Sequence, residues 1–174
     1  MEDVITENII VEAKIADEFN LDKIAEKMAD VKYNPDDFPA AIINFPGVST
    51  ILTKEGKFIC TGTKTMDEAK EILAKTVDML REKGIKARKR AKIEIKNLII
   101  SKDTKKGIDI RRLAFGLDNV DYYPDEFPGA IYRGKDGLIA LVFDNGMIVC
   151  TGSNDRGVLE KFLEEVVERA REVG

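Results

Sequence analysis

From Ile5 to Ile15 the chain alternates, with Ile9, Val11, Ala13 and Ile15 on one side and Asn8, Ile10 and Glu12 on the other, which predicts a strand with one buried face. The period then changes. Leu21, Ile24, Ala25 and Met28 recur at helical spacing behind Asn20, a residue suited to capping, and predict a helix over 20–29. Residues 33–39 are rich in turn formers. Three short apolar stretches at 40–45, 48–53 and 57–61 follow, parted by Pro46-Gly47 and Glu55-Gly56, and read as an antiparallel meander. Thr65 with Glu68 three residues on forms a capping-box pattern. The amphipathic stripe behind it, Ala69, Ile72, Leu73, Thr76, Val77 and Leu80, runs to a stop at Gly84.

This whole order then repeats. Asn8 is answered by Asn97, and Tyr33, Pro35, Phe38, Pro39, Ala41 and Ile42 by Tyr122, Pro124, Phe127, Pro128, Ala130 and Ile131, all at an offset of 89. Gly56, Ile59, Cys60, Thr61 and Gly62 return as Gly146, Val149, Cys150, Thr151 and Gly152 at an offset of 90, so the second copy gains one residue between these blocks. The expected repeats are 1–92 and 93–174. Each is too small to bury a large core alone, which predicts one shared sheet. The fold class is α+β, a pseudo-twofold molecule with an antiparallel sheet and helices on one face only. The other face then carries Ile10, Ile51 and Ile59 from the first copy and Ile99, Leu141, Phe143 and Val149 from the second, with Asn8, Thr61, Asn97 and Thr151 among them. An exposed apolar surface of this kind marks a binding site, with homodimerisation through that face or simple burial as alternatives.

Composition narrows the classes. With no His, no phosphate loop and no metal-ligand cluster, no catalytic constellation can be assembled, and neither an enzyme nor a cofactor or metal site is expected. Cys60 and Cys150 are repeat mates in apolar stretches and read as buried thiols. No apolar run reaches membrane length and the acidic start is unlike a signal peptide, so a cytoplasmic location is expected. The formal net charge is −4, yet residues 81–112 hold thirteen Lys/Arg against four acidic residues. That basic band fits a polyanion, an acidic protein partner or a solvated linker.

The motifs Asn8-Ile9-Ile10, Tyr33-Asn34-Pro35-Asp36-Asp37-Phe38-Pro39, Gly56-Lys57-Phe58-Ile59-Cys60-Thr61-Gly62, Asn97-Leu98-Ile99, Phe127-Pro128-Gly129-Ala130-Ile131-Tyr132-Arg133 and Gly146-Met147-Ile148-Val149-Cys150-Thr151-Gly152 resemble, in order and in duplicate, the TATA-box-binding protein family of general transcription factors. The resemblance covers nearly the whole chain. It implies a saddle of two repeats sharing a curved sheet, with helices on the convex face and A·T-rich duplex DNA bound by its minor groove on the concave one. It places Asn8, Asn97, Thr61 and Thr151 on base edges, and Ile10, Ile51, Ile59, Ile99, Leu141 and Val149 on the groove floor. Phe38, Phe127 and Phe143 become wedges between base steps, with Pro128 beside them, a mechanism for which this family is itself a standing example. Lys57 and Arg133 fall at phosphate contacts. Transcription factor B and the RNA polymerase machinery are the implied partners, met at Tyr123, Asp125 and Glu126 and at the basic Arg88, Lys89 and Arg90. If archaeal, the protein would be nucleoid-associated.

The chain departs from that family pattern at the partner contact, where Tyr123, Asp125 and Glu126 stand in place of expected acidic, acidic and leucine residues so that this surface survives only in part, and at four positions of the DNA-binding side. Thr53 stands where the first half has its second wedge, and Glu12 where a small groove-facing residue is expected; a carboxylate there would repel phosphates and be costly to desolvate. Asn44 and Met147 replace expected Arg and Lys. The departures leave room for a diverged paralogue acting as a regulatory interaction module with weakened DNA binding. An accessory domain that holds nucleic acid for an enzyme is a third reading.

Overall fold

The structure is a computed structural model that describes residues 3–173. The chain forms two compact units. One comprises Asn8–Lys96, and the other runs from Asn97 onward together with the described residues before Asn8. The unit boundary therefore falls inside two strands, β1 (Val4–Lys14) and β6 (Ile93–Asp103), rather than between the repeats.

In the Asn8–Lys96 unit β1 leads into helix α1 (Leu21–Lys27), then β2 (Val31–Lys32), β3 (Ala40–Phe45), β4 (Val48–Thr53), β5 (Lys57–Thr63) and helix α2 (Met66–Glu82). The strands pair in the order β2-β3-β4-β5-β1, all antiparallel in their registers. The other unit repeats this with β6, α3 (Ile110–Gly116), β7 (Val120–Asp121), β8 (Ala130–Arg133), β9 (Ile139–Val142), β10 (Met147–Thr151) and α4 (Arg156–Val173), in the order β6-β10-β9-β8-β7. Alternation decides which face is covered. Ala41, Leu52, Phe58 and Ala13 form one cross-strand row, and Ile43, Thr50, Cys60 and Val11 the next, all 2 % exposed or less. Against them lie Leu73, Val77 and Leu80 of α2. Val142, Ile148, Ala140 and Cys150 do the same beneath Leu159, Leu163 and Val166 of α4.

Local chemistry sets the ends. The Asn20 side chain accepts the Lys23 N–H at 3.1 Å and Asp109 accepts that of Arg112, so both short helices start on a capping side chain. Thr65 accepts the Glu68 N–H at 3.1 Å, but the Glu68 carboxylate takes the N–H of Lys64 at 2.8 Å, one residue before the position that a capping box expects. Strand β5 runs two residues past the expected end because Gly62 adopts φ 103 and returns Thr63 to the covered face. Strands β2 and β7, two residues each, are too short to show an alternating pattern. The residue gained by the second copy is Asp136. It sits in the turn Lys135–Gly137 between β8 and β9 at φ 55, ψ 34, where the first copy closes on Pro46-Gly47.

Candidate nucleic-acid interface

Each unit leaves one sheet face open, and the same register fixes what it displays. In the Asn8–Lys96 unit the central row is Ile42, Ile51, Ile59 and Glu12, and the flanking row includes Asn44, Ser49 and Thr61. In the other unit the central row is Ile131, Leu141, Val149 and Ser101. The aliphatic members are half-buried, neither packed away nor fully solvated. Ile10 and Ile99 share this intermediate exposure on the strands that carry Asn8 and Asn97.

The polar centre of each face is a clasp built twice. Asn8 Nδ2 donates to Thr61 Oγ1 at 2.8 Å, and Asn8 Oδ1 accepts the Gly62 N–H at 2.8 Å. Asn97 Nδ2 donates to Thr151 Oγ1 at 3.0 Å and its Oδ1 accepts the Gly152 N–H at 3.2 Å. A backbone N–H requires an oxygen, so the amide orientation is fixed by chemistry, and each asparagine keeps one further N–H to offer. The copies differ in the hydroxyl. Thr151 lies 3.0 Å from the Leu98 carbonyl and can donate its proton there, whereas no acceptor meets the Thr61 hydroxyl among the described residues.

The aromatic residues are unequal. Phe127 and Phe143 meet edge to face, 5.8 Å between centroids at 65°, and a Cβ added to Gly129 would come within 3.0 Å of both rings, so glycine there permits the pair. In the first copy Ala40 takes the place of Gly129 and Thr53 that of Phe143. The Thr53 hydroxyl accepts the Lys57 N–H at 3.2 Å, tied into its own turn, and Phe38 stands 43 % exposed with no aromatic mate among the described residues. Its loop is nevertheless ordered, with the Phe38 N–H on the Asn34 carbonyl at 2.9 Å and Asn34 Nδ2 on Asp37 Oδ2 at 2.8 Å. Pro128 is exposed next to Phe127.

Glu12 is neutralised in place. Lys57 Nζ lies 3.5 Å from Oε1 and Lys96 Nζ 3.4 Å from Oε2, while Lys96 also reaches Glu94 at 3.3 Å. Hydrogen bonds that Lys96 donates to Glu94 first, then to Glu12, hold its ammonium above the usual lysine range, and Lys96 in turn holds the Glu94 carboxyl below its own. At the equivalent place in the other unit, Ser101 donates to Glu7 at 2.6 Å. Arg133 Nε lies 3.0 Å from Asp121 Oδ2. Thus Lys57 and Arg133 already have carboxylate partners within their own units.

The remaining site residues lie apart from this face pattern. Tyr123 is 60 % exposed in the Pro-rich loop with the exposed Asp125 and Glu126. On the other unit, Arg88 pairs with Asp17 at 3.2 Å and Lys89 with Asp78 at 2.5 Å, and Arg90 is exposed. Sequence reasoning missed Ile42 and Ile131. They were visible as repeat mates, but the adjacent alanines Ala40-Ala41 hide the strand's alternation. It missed Lys96 and Glu7 as well, since no local pattern relates them to Glu12 and Ser101.

Comparison with known proteins places the chain. Residues 3–83 and 92–172 each match the family described as "Transcription factor TFIID (or TATA-binding protein, TBP)". The chain belongs to this family, whose members are transcription factors and not enzymes. It is 31 % identical to TATA-box-binding protein B of Halobacterium salinarum, covering 97 % of this chain and 93 % of that protein. It is 35 % identical to the TATA-box-binding protein of Thermococcus kodakarensis over 84 % of this chain and 79 % of that one. Among solved structures it matches Methanococcus jannaschii TBP with a TM-score of 0.88 and 27 % identity, covering 98 % of this chain and 99 % of that one. Among the described residues, no helix is long and apolar enough to cross a membrane and no group of side chains suits a metal ion.

Proposed function

We propose that the chain is a general transcription initiation factor that binds A·T-rich promoter DNA in the minor groove through the open faces of repeats 1–92 and 93–174. The observation that carries this reading is the duplicated Asn–Thr clasp beside central rows that are aliphatic except at Glu12 and Ser101. The minor groove of A·T pairs offers only acceptors, adenine N3 and thymine O2, and lacks the guanine amino group that would hold an apolar surface away. Asn8, Asn97 and Thr61 have donors to offer such acceptors, Thr151 holds Asn97 in place, and Ile10, Ile51, Ile59, Ile99, Leu141 and Val149 supply dry contact with the groove floor.

Phe127 and Phe143, with Pro128, form the stronger wedge, and Phe38 acts alone in the first half; kinking by inserted apolar side chains has this family as its standing example. Lys57 and Arg133 reach phosphates only by leaving Glu12 and Asp121. Transcription factor B is recruited through Tyr123, Asp125 and Glu126, with Arg88, Lys89 and Arg90 as a second, basic contact. Glu12 and Thr53 favour one alternative, a diverged paralogue with weakened DNA binding that acts as a regulatory interaction module.

Glu12→Gln separates the two. On the first reading it releases Lys57 and Lys96, tightens binding to an A·T-rich duplex, and steepens the slope of log K against log salt by roughly 0.9 for each additional phosphate that the freed lysines neutralise. Absence of measurable binding to that duplex, in both the parent and the Glu12→Gln protein, would establish the paralogue reading.

A further inference from the structure

Helix α4 packs beside the turn Lys135–Gly137, and one aromatic ring sets the geometry there. The Phe162 ring lies edge to face with Tyr132, 5.8 Å between centroids at 64°, and a Cβ added to Gly134 would come within 2.5 Å of it. Glycine at the end of β8 thus lets the ring rest on the strand. Between α4, this turn and Asn119 opens a groove of about 660 Å³. Leu138 and Val158 line it beside the buried Phe162, and Val158 is 42 % exposed.

Cations border this apolar floor. Arg133 is held by Asp121 at 3.0 Å, but among the described residues no carboxylate pairs with Lys135, Lys161 or Arg169, all of them exposed. The one carboxylate in the lining, Glu165, accepts the Tyr132 hydroxyl at 3.0 Å. The first copy folds without these charges. At the matching positions it carries Pro46 for Lys135, Glu71 for Lys161, Met79 for Arg169 and Glu68 for Val158, while the inward positions Leu73 and Val77 return unchanged in kind as Leu163 and Val167. Cations that no ion pair uses, and that the repeat mate replaces by neutral or acidic residues, are not demanded by the packing of the helix. An apolar floor inside a positive rim is the complement of an acidic ligand with an apolar anchor.

We propose that this groove docks an extended acidic segment of a partner protein. One large apolar side chain of the segment rests on Leu138, Val158 and the edge of Phe162, and carboxylates on either side of it meet Lys161 and Arg169, with Lys135 as a third charge. Lys161 and Arg169 stand eight residues apart on α4, about 12 Å along its axis, a distance that an extended chain covers in about four residues. The recognised pattern is therefore Asp-x-Phe-x-Asp or its Glu and aliphatic equivalents. A nucleic acid fits less well, because Leu138 and Val158 offer nothing to a phosphate backbone and α4 lies on the covered side of its sheet. A small free anion fits less well too, since the rim cations are exposed and the Gly134 N–H is already given to the Leu138 carbonyl at 2.8 Å. The proposal does not depend on the DNA-binding reading.

The test uses the full chain and three peptides: Ser-Asp-Ser-Phe-Ser-Asp-Ser, its counterpart with Lys for both Asp, and its counterpart with Ser for Phe. Backbone amide NMR titration with the first is expected to shift Leu138, Val158 and Lys161, with no comparable response to the basic peptide and a severalfold weaker one to the peptide lacking Phe. Lys161→Glu, which installs the charge that the first copy carries as Glu71, should weaken the acidic peptide by about tenfold or more, since like charges placed face to face are strongly unfavourable. Val158→Ser should weaken it severalfold, and both variants should keep the parent Tm because both side chains are exposed. Absence of shifts at these amides, equal binding with and without the Phe, indifference to Lys161→Glu, or displacement of the acidic peptide by a short A·T-rich duplex would each overturn the proposal.

Discussion

Phe127 and Phe143 share an edge-to-face contact beside Gly129, whereas the first copy has Thr53 and Ala40 at the matching places, and these two differences make the copies unequal at the positions proposed to open base steps. Phe143→Ala and Phe127→Ala should each weaken DNA binding and reduce the bend measured by end-to-end energy transfer, both by more than Thr53→Ala. Equal losses at all three positions would remove the wedge assignment. A second residue-scale prediction concerns the buried thiols. Burial pushes Cys60 up to about 11 and Cys150 up to about 12, where an unfolded chain ionises near 8.5. A raised folded value means that the native state holds its proton longer. The stabilising contribution is therefore complete below the unfolded value and is lost as pH rises from there through 11 and 12. Replacing both cysteines by alanine should flatten the decline of Tm between pH 8.5 and 11 relative to the parent; an unchanged slope would contradict it. The aromatic and polar residues of the open face were legible in the sequence because they recur at fixed offsets. Their intramolecular partners were not, since Glu12 with Lys96 and Arg133 with Asp121 meet only after the strands have paired.

At the level of elements the duplication is carried by glycines as much as by apolar residues. Gly62 and Gly152 adopt φ 103 and 109, and a Cβ on either would lie 2.3 Å from the carbonyl oxygen of Gly47 or Gly137. Neither the backbone conformation nor the space suits an L side chain. Gly62→Ala and Gly152→Ala should each lower Tm by several degrees, and they should also loosen the clasp whose asparagine accepts that glycine's N–H. A control at Gly47, where the built Cβ meets nothing within 4 Å, should show a smaller loss, arising from φ 72 alone. Equal losses at Gly47 and Gly62 would mean that the close approach is not the cause. Helices and long strands were legible because their periodicity spans seven residues or more. The two-residue strands were not, and neither was the position of the extra residue, which only the positive φ of Asp136 identifies.

For the whole molecule, the basic band of residues 81–112 has several roles within the fold rather than one. Arg88 pairs with Asp17, Lys89 pairs with Asp78, and Lys96 neutralises Glu12. A DNA-binding surface with so many intramolecular charge partners should show a shallow salt dependence and draw its preference from the dry face. That places the central claim on groove chemistry. The direct measurement is an equilibrium titration of three duplexes of equal length, in which one eight-base-pair element is A·T, G·C or inosine·C. Inosine removes the guanine amino group from the minor groove while leaving a G·C-like major groove. The account predicts that the A·T and inosine·C duplexes bind comparably and the G·C duplex at least about tenfold more weakly, a difference of about 1.4 kcal/mol. Binding of inosine·C as weak as that of G·C, or equal affinity for all three, would contradict it.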